Sequence, residues 1–188
     1  VTRELAVRAA RFDDLDDIVE LRLALLREYA HVPLYARLRP DAEARARELF
    51  FSQLVAPNEV ILLAERAGRA VGVLRCVDTI GSPLVLPDRY AYVSSVYVKP
   101  TERRRGVLRA LLTAAEAWCE ERGIDEMRLH NSPASPVAGD VWEAFGFEVV
   151  EQVRRRVLTS RLRLPLRLHQ SESEDGGRRG EAHEGGIY

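Results

Sequence analysis

The chain has 188 residues, enough for one domain with a real core, and its 46% hydrophobic content is ordinary for a globular fold. A net charge of −1 offers no global field for nucleic acid or a membrane surface. No apolar stretch approaches spanning length and no leader pattern precedes the domain, so a cytoplasmic protein is expected.

Leu5–Arg8 reads as a short first strand. Asp13 or Asp14 can cap a first helix with Leu15, Ile18, Val19 and Leu26 on its inner face. A loop from His31 to Pro40 leads to a second helix over about Asp41–Ala56, with Leu49, Phe50 and Leu54 facing inward. Val60–Ala64 is a buried strand, Arg66-Ala67-Gly68-Arg69 a hairpin turn, and Ala70–Asp78 the returning strand. After a proline-rich loop, Gly81 to Asp88, a fourth strand runs from Tyr90 to Val98. A helix follows from about Gly106, with Leu108, Leu111, Leu112, Ala115, Trp118 and Cys119 at helical spacing and Gly123 as its stop.

Glu126–His130 then reads as a parallel strand reached by a crossover, and Val137–Phe145 as a helix ended by Gly146. Phe147–Val157 returns as one long strand or two short ones. Cys76 and Cys119 read as buried small hydrophobes rather than a disulfide. Residues 1–165 are expected to form a single domain, and 166–188 a flexible tail too poor in apolar residues to pack. His169 and His183 in that tail read as solvated, so no metal is implied.

One run breaks a local rule. Arg103, Arg104, Arg105 and Arg109 crowd the start of a helix, where partial positive charge favours acids. The conflict disappears if an anion sits there, held by free backbone N–H groups and guanidinium side chains. The plainer alternative is a solvated basic helix start. Almost every cation of this chain is arginine, Lys99 being the sole lysine, which weakens arginine runs as evidence. Other phosphate loops fit poorly: there is no Gly-Lys-Ser/Thr at the helix start and no G-x-G-x-x-G after a strand.

The run Val96-Tyr97-Val98-Lys99-Pro100-Thr101-Glu102-Arg103-Arg104-Arg105-Gly106-Val107-Leu108 resembles the cofactor loop of the GNAT superfamily of N-acetyltransferases. The family pattern is Gln or Arg, two residues, Gly, one residue, then Gly or Ala. Arg103 takes the first place and Gly106 the fourth, while Leu108 departs from the last. The resemblance covers roughly residues 5 to 158. It implies an α/β fold, a mixed, mostly antiparallel central sheet flanked by helices on both faces. It implies acetyl-CoA as cofactor, its pyrophosphate on Arg103, Arg104, Arg105, Gly106, Val107, Leu108 and Arg109. Its pantetheine arm would pair with the fourth strand at Val96, Tyr97 and Val98, a backbone N–H near Val96 polarising the thioester carbonyl. Asn131 and Ser135 fall where polar contacts to that arm are common in the family. Leu108 either turns into the core, as its spacing favours, or crowds the pyrophosphate.

The family's acid and base are both replaced. Val141-Trp142-Glu143-Ala144-Phe145-Gly146-Phe147 keeps the frame of the family's second signature, but Trp142 stands where many members have a tyrosine acting as general acid. Trp142 is either packing or a wall of the acceptor pocket. Ser94, followed by Ser95, stands where many members place a glutamate base; the pair either positions water or the amine, or marks a bulge. His130 is the one chemically apt base, unless it is structural. Tyr92 can line the acceptor side, and Tyr29, His31 and Tyr35 fall where the family builds its acceptor loop. Glu28 either attracts a cationic amine or is solvated.

The implied activity is transfer of an acetyl group from acetyl-CoA to an amine of a small molecule or peptide by direct attack. The alternative is an acyl-CoA-binding module with little or no turnover. The sequence leaves the acceptor open, and the oligomeric state too, a homodimer being one option because exposed sheet edges often pair.

Overall fold

The computed structural model describes residues 4–132 and 136–157. The chain divides into two units, Val1–Glu148 and Val149–Tyr188. The first unit carries a five-stranded sheet in the order β1-β2-β3-β4-β5, built from β1 (Leu5–Ala9), β2 (Glu59–Arg66), β3 (Arg69–Ile80), β4 (Arg89–Val98) and β5 (Met127–Leu129). The first three pairings are antiparallel and β4–β5 is parallel. Its helices are α1 (Leu15–Glu28), α2 (Ala42–Leu54), α3 (Val107–Glu120) and α4 (Pro136–Ala144).

Strand alternation divides the sheet into two faces with separate cores. On one face Leu62, Ala64, Leu74, Cys76, Ala91 and Val93 meet Val107, Leu111, Leu112 and Ala115 of α3. On the other, Ile61, Leu63, Val73 and Tyr97 meet Ile18, Val19, Leu21 and Leu23 of α1 and Phe50 of α2. Cys76 and Cys119 are both buried and free, and burial raises both thiols, Cys76 to about 12. Gly72 lets α3 approach the sheet. A Cβ there would stand 3.0 Å from Val107 Cγ1 and 3.1 Å from the Tyr97 carbonyl oxygen.

The β2–β3 turn closes through Ala67 and Gly68, at φ 55° and 71°, the left-handed pair that a two-residue hairpin needs. The first helix differs from expectation at its start. The Asp14 carboxylate does not cap α1; it accepts from both Nη atoms of Arg8 (2.7 and 2.8 Å) and from the Arg11 N–H (2.7 Å). Those bonds, chiefly Arg8, hold its carboxyl below the usual range. In α2, Leu49 faces out at 52% exposure instead of inward. The buried stripe is Ala46 and Phe50 with half-buried Leu54, at steps of four, and Leu49 stands one position off it.

The expected last strand over Phe147–Val157 is not there: residues 147–157 carry no strand or helix. Their β-branched residues favour extended backbone, but a strand exists only through a ladder partner. In the second unit, residues 149–157 are irregular, and the Arg154 guanidinium donates to Gln152 Oε1 at 3.3 Å. The tail expected over 166–188 lies outside the described residues, and the unit boundary falls at Glu148, earlier than residue 165. No helix among the described residues is long and apolar enough to cross a membrane.

Candidate active site

The site begins where β4 leaves β5. Pairing between them ends at Val93 and Leu129, so β4 runs on from Ser94 to Val98 past the last rung. Ser94 and Ser95 mark a bulge. Val73 faces Tyr97 and Arg75 faces Ser94, so three steps on β4 match two on β3, and Ser95 stands at φ 54°. The extra residue changes the phase of the strand. Ala91 and Val93 point to the α3 side before it, Val96 and Val98 after it, while Tyr97 points under α1. The outcome is a splayed edge whose backbone groups at Val96 and Val98 border the gap beside β5.

That edge leads into the arginine loop. Arg104 (φ 59°) and Gly106 (φ 81°) both adopt the left-handed conformation. The first i→i−4 bond of α3 runs from the Ala110 N–H to the Gly106 carbonyl at 3.0 Å, and no side chain caps the helix. The N–H groups of Val107, Leu108 and Arg109 therefore face the helix start, a concavity suited to an oxyanion. The four arginines divide by role. Arg103 Nη2 donates to Glu28 at 2.6 Å and its Nε to the Val98 carbonyl at 3.0 Å, with its guanidinium 5.6 Å from the Tyr97 ring. Arg105 pairs with Glu102 at 3.3 Å, and Glu102 pairs with Arg66 of β2 at 2.9 Å. Arg104 is exposed and has no partner among the described residues, and Arg109 lies 5.2 Å from the Phe145 ring. Arg103 and Arg105 brace the loop, while Arg104 and Arg109 remain open to an anion.

The side chain of Val107 is fully buried, so only its backbone can serve a ligand. Leu108 is half-buried against the α3 core, which favours the core reading. Leu108→Gly is expected to cost about 2 kcal/mol or more in stability, from lost burial and helix propensity. Denaturant unfolding measures it, with no tightening of acetyl-CoA in a parallel titration. A tighter-binding variant of unchanged stability would mean that Leu108 crowds the ligand instead.

On the α1 side of the sheet, the rung Ile61–Arg75–Ser94 lies beside the rung Glu59–Val77–Tyr92. Arg75 is ion-paired with Glu59, and its Nη1 donates to Ser94 Oγ at 3.3 Å. A guanidinium thus occupies the hydroxyl that stands in the place of a base. Tyr92 and His130 meet at 2.9 Å, Oη to Nδ1, with rings edge-on at 5.4 Å. Burial pushes the Tyr92 phenol up, so it stays protonated through neutral pH.

Tyr29, His31 and Tyr35 gather after α1, with Tyr29 stacked on His31 (5.9 Å) and edge-on to Tyr35 (6.4 Å). Glu28, read from the sequence as either attracting a cationic amine or solvated, is ion-paired with Arg103. Trp142 packs on the α3 core and edge-on to Phe147 (5.5 Å), the packing role. Asn131 is exposed beside Gly139 of α4, and Ser135 lies outside the described residues. Among the described residues no cluster of His, Cys, Asp or Glu could hold a metal.

Two guanidinium groups were not singled out by the sequence: Arg75, and Arg22 of α1. Arg22 is three and four residues beyond buried Val19 and Ile18, so a cation sits on the helix's apolar stripe. That position was a readable signal.

The sequence profile of the Acetyltransferase (GNAT) family matches residues 20–147. An aminoglycoside N(6')-acetyltransferase of Stenotrophomonas maltophilia is 30% identical over 135 residues, covering 66% of this chain and 84% of that enzyme. One of the same name from Salmonella typhimurium is 34% identical over 62 residues, 33% of this chain, and the alignment spans only 43% of that enzyme's length. Among solved structures, an aminoglycoside N-acetyltransferase in complex with CoA shares the fold at TM-score 0.68 and 22% identity, over 84% of this chain and 97% of that one. A predicted acetyltransferase from Clostridium acetobutylicum, solved with acetyl-CoA, matches at TM-score 0.67 and 18% identity, over 82% and 96%.

Proposed function

The chain belongs to the acetyltransferase (GNAT) family, whose acyl donor is acetyl-CoA, and from that premise we propose that it acetylates the amine of a small molecule by direct attack. The observation that carries the reading is the continuity of the splayed β4 edge with the open N-terminus of α3. On this reading backbone groups of Val96 and Val98 would pair with the amide arm, and the N–H groups of Val107, Leu108 and Arg109, with Arg104 and Arg109, would take the pyrophosphate. When bound, acetyl-CoA supplies the activated thioester. A donor from the β4 edge would favour charge developing on the carbonyl oxygen as the C–N bond forms, the C–S bond breaks, the amine gives up a proton and CoA leaves as the thiol, and binding of the long cofactor would supply orientation. No covalent enzyme intermediate is required.

The relatives' names put amino sugars among the acceptors to test. One observation favours a second reading, a binding module with little turnover: Ser94 is held by Arg75 and Trp142 is packed, so neither replaces the missing base and acid. A single series of measurements separates them. Acetyl-CoA should raise the Tm by mass action, and desulfo-CoA should do the same because the phosphates and the arm carry most of the contact. Release of thiol over a panel of amines then identifies an enzyme. Binding without release identifies the module, and no thermal shift at millimolar ligand overturns both.

A further inference from the structure

Among the described residues Arg22 has no hydrogen bond and no ion pair, yet it stands on the inward face of α1, one turn beyond Ile18 and between buried Leu21 and Leu23. A half-buried guanidinium without an anion is costly, and folds keep such a group where a ligand supplies the missing charge. α1 packs on β3 and β4, whose α1-side rungs carry Arg75, Ser94 and Tyr92. Burial pulls the Arg22 guanidinium down, the Arg75 cation lowers it further, and the phenols of Tyr35 and Tyr92 lie near enough to act on it, in keeping with a place over the same cleft. Glu59 is engaged by Arg75, Glu28 by Arg103, Glu20 by Lys99 at 2.9 Å and Asp16 by Arg47, while Asp17 of α1 is exposed to solvent. Arg75 is neutralised by Glu59, so the uncompensated positive charge over these rungs is that of Arg22. A polycationic acceptor would meet repulsion there, while a carboxylate would find a two-pronged donor in Arg22 and a hydroxyl in Tyr92.

We propose that the acceptor is a small amino carboxylate, an amino-acid-like zwitterion, whose carboxylate is received by Arg22 beside Arg75 and Tyr92 while its amine faces the β4 bulge. This rests on the reading of the chain as an amine acetyltransferase and departs from the amino-sugar acceptors that the relatives' names suggest. The site is a specificity device: it selects and orients the acceptor and takes no part in bond making.

The test compares amino acids, the matching amino amides and a polycationic aminoglycoside as acceptors, for the full chain and for Arg22→Gln and Arg22→Lys. Thermal melts establish that each variant is folded. Carboxylates should exceed their amides in kcat/KM by at least about tenfold, the worth of one charge-assisted contact. Arg22→Gln should remove that preference mainly through KM, with Arg22→Lys intermediate and the amides unaffected. Equal use of acids and amides, or preference for the aminoglycoside, overturns the inference and leaves the acetyltransferase reading intact. Absence of turnover with every amine counts against the acetyltransferase reading, and the carboxylate site is then read by direct calorimetry. With CoA present, N-acetyl amino acids should bind at least about tenfold more tightly than N-acetyl amino amides, and only the former should weaken in Arg22→Gln. No such difference overturns the inference.

Discussion

Gly106→Val should raise the dissociation constant of acetyl-CoA by roughly 100-fold while leaving the protein folded. Gly106 stands at φ 81°, and a Cβ placed there would meet nothing within 4 Å. The substitution therefore acts through the backbone and not through a clash. A left-handed conformation costs an ordinary L-residue about 1–2 kcal/mol, and a β-branched one is an outlier there. The loop relaxes by rotating residue 106, which turns the N–H groups of Val107 and Leu108 away from the point where they converge. Hydrogen bonds to a charged group contribute about 1.5–3 kcal/mol each, so losing two accounts for the hundredfold. Gly106→Asn should retain most of the affinity, because asparagine tolerates the left-handed region. Calorimetric titration of all three proteins decides it. A valine variant that binds like the native protein would show that the phosphates are held by Arg104 and Arg109 alone.

The strand, loop and helix around Gly106 were legible because their signals are local: an apolar strand, a glycine, and apolar residues at helical spacing. The Ala67-Gly68 turn was legible for the same reason. What escaped the sequence was long-range. Glu28 and Arg103 are 75 residues apart in the chain, and nothing near either one announces their pairing. The absent strand after Phe147 failed for a related reason, since β-propensity is local and a ladder partner is not.

Arg22 and Arg75 escaped differently. In a chain whose cations are nearly all arginine, a single arginine draws no attention. Their placement was nevertheless encoded: Arg22 breaks the apolar stripe of α1, and Arg75 alternates with Leu74 and Cys76, which point to the α3 core. Leu49 shows the converse limit, because a half-amphipathic helix such as α2 lets two adjacent stripes compete until packing chooses one.

The pH dependence of acetylation should follow the acceptor's amine and not a side chain. No carboxylate base stands on β4; the Ser94 hydroxyl is held by Arg75, and the Tyr92 phenol, raised by burial, keeps its proton through neutral pH. The amine must then lose its own proton to water before attack. Below the amine's pKa the neutral fraction grows tenfold per pH unit, so kcat/KM should rise about 100-fold over two units and level at the free amine's pKa. Two acceptors whose amines differ by two pKa units should give curves displaced by the same amount. The limb in kcat reports the bound amine and the limb in kcat/KM the free one. His130 is the group that would break this pattern. It already meets the Tyr92 hydroxyl at 2.9 Å, and an imidazole so oriented could act as a base through Nε2. In that event the limb would fall in the histidine range for every amine and disappear in His130→Ala. The expected result is that His130→Ala shifts neither limb, and that replacing one acceptor by another shifts both.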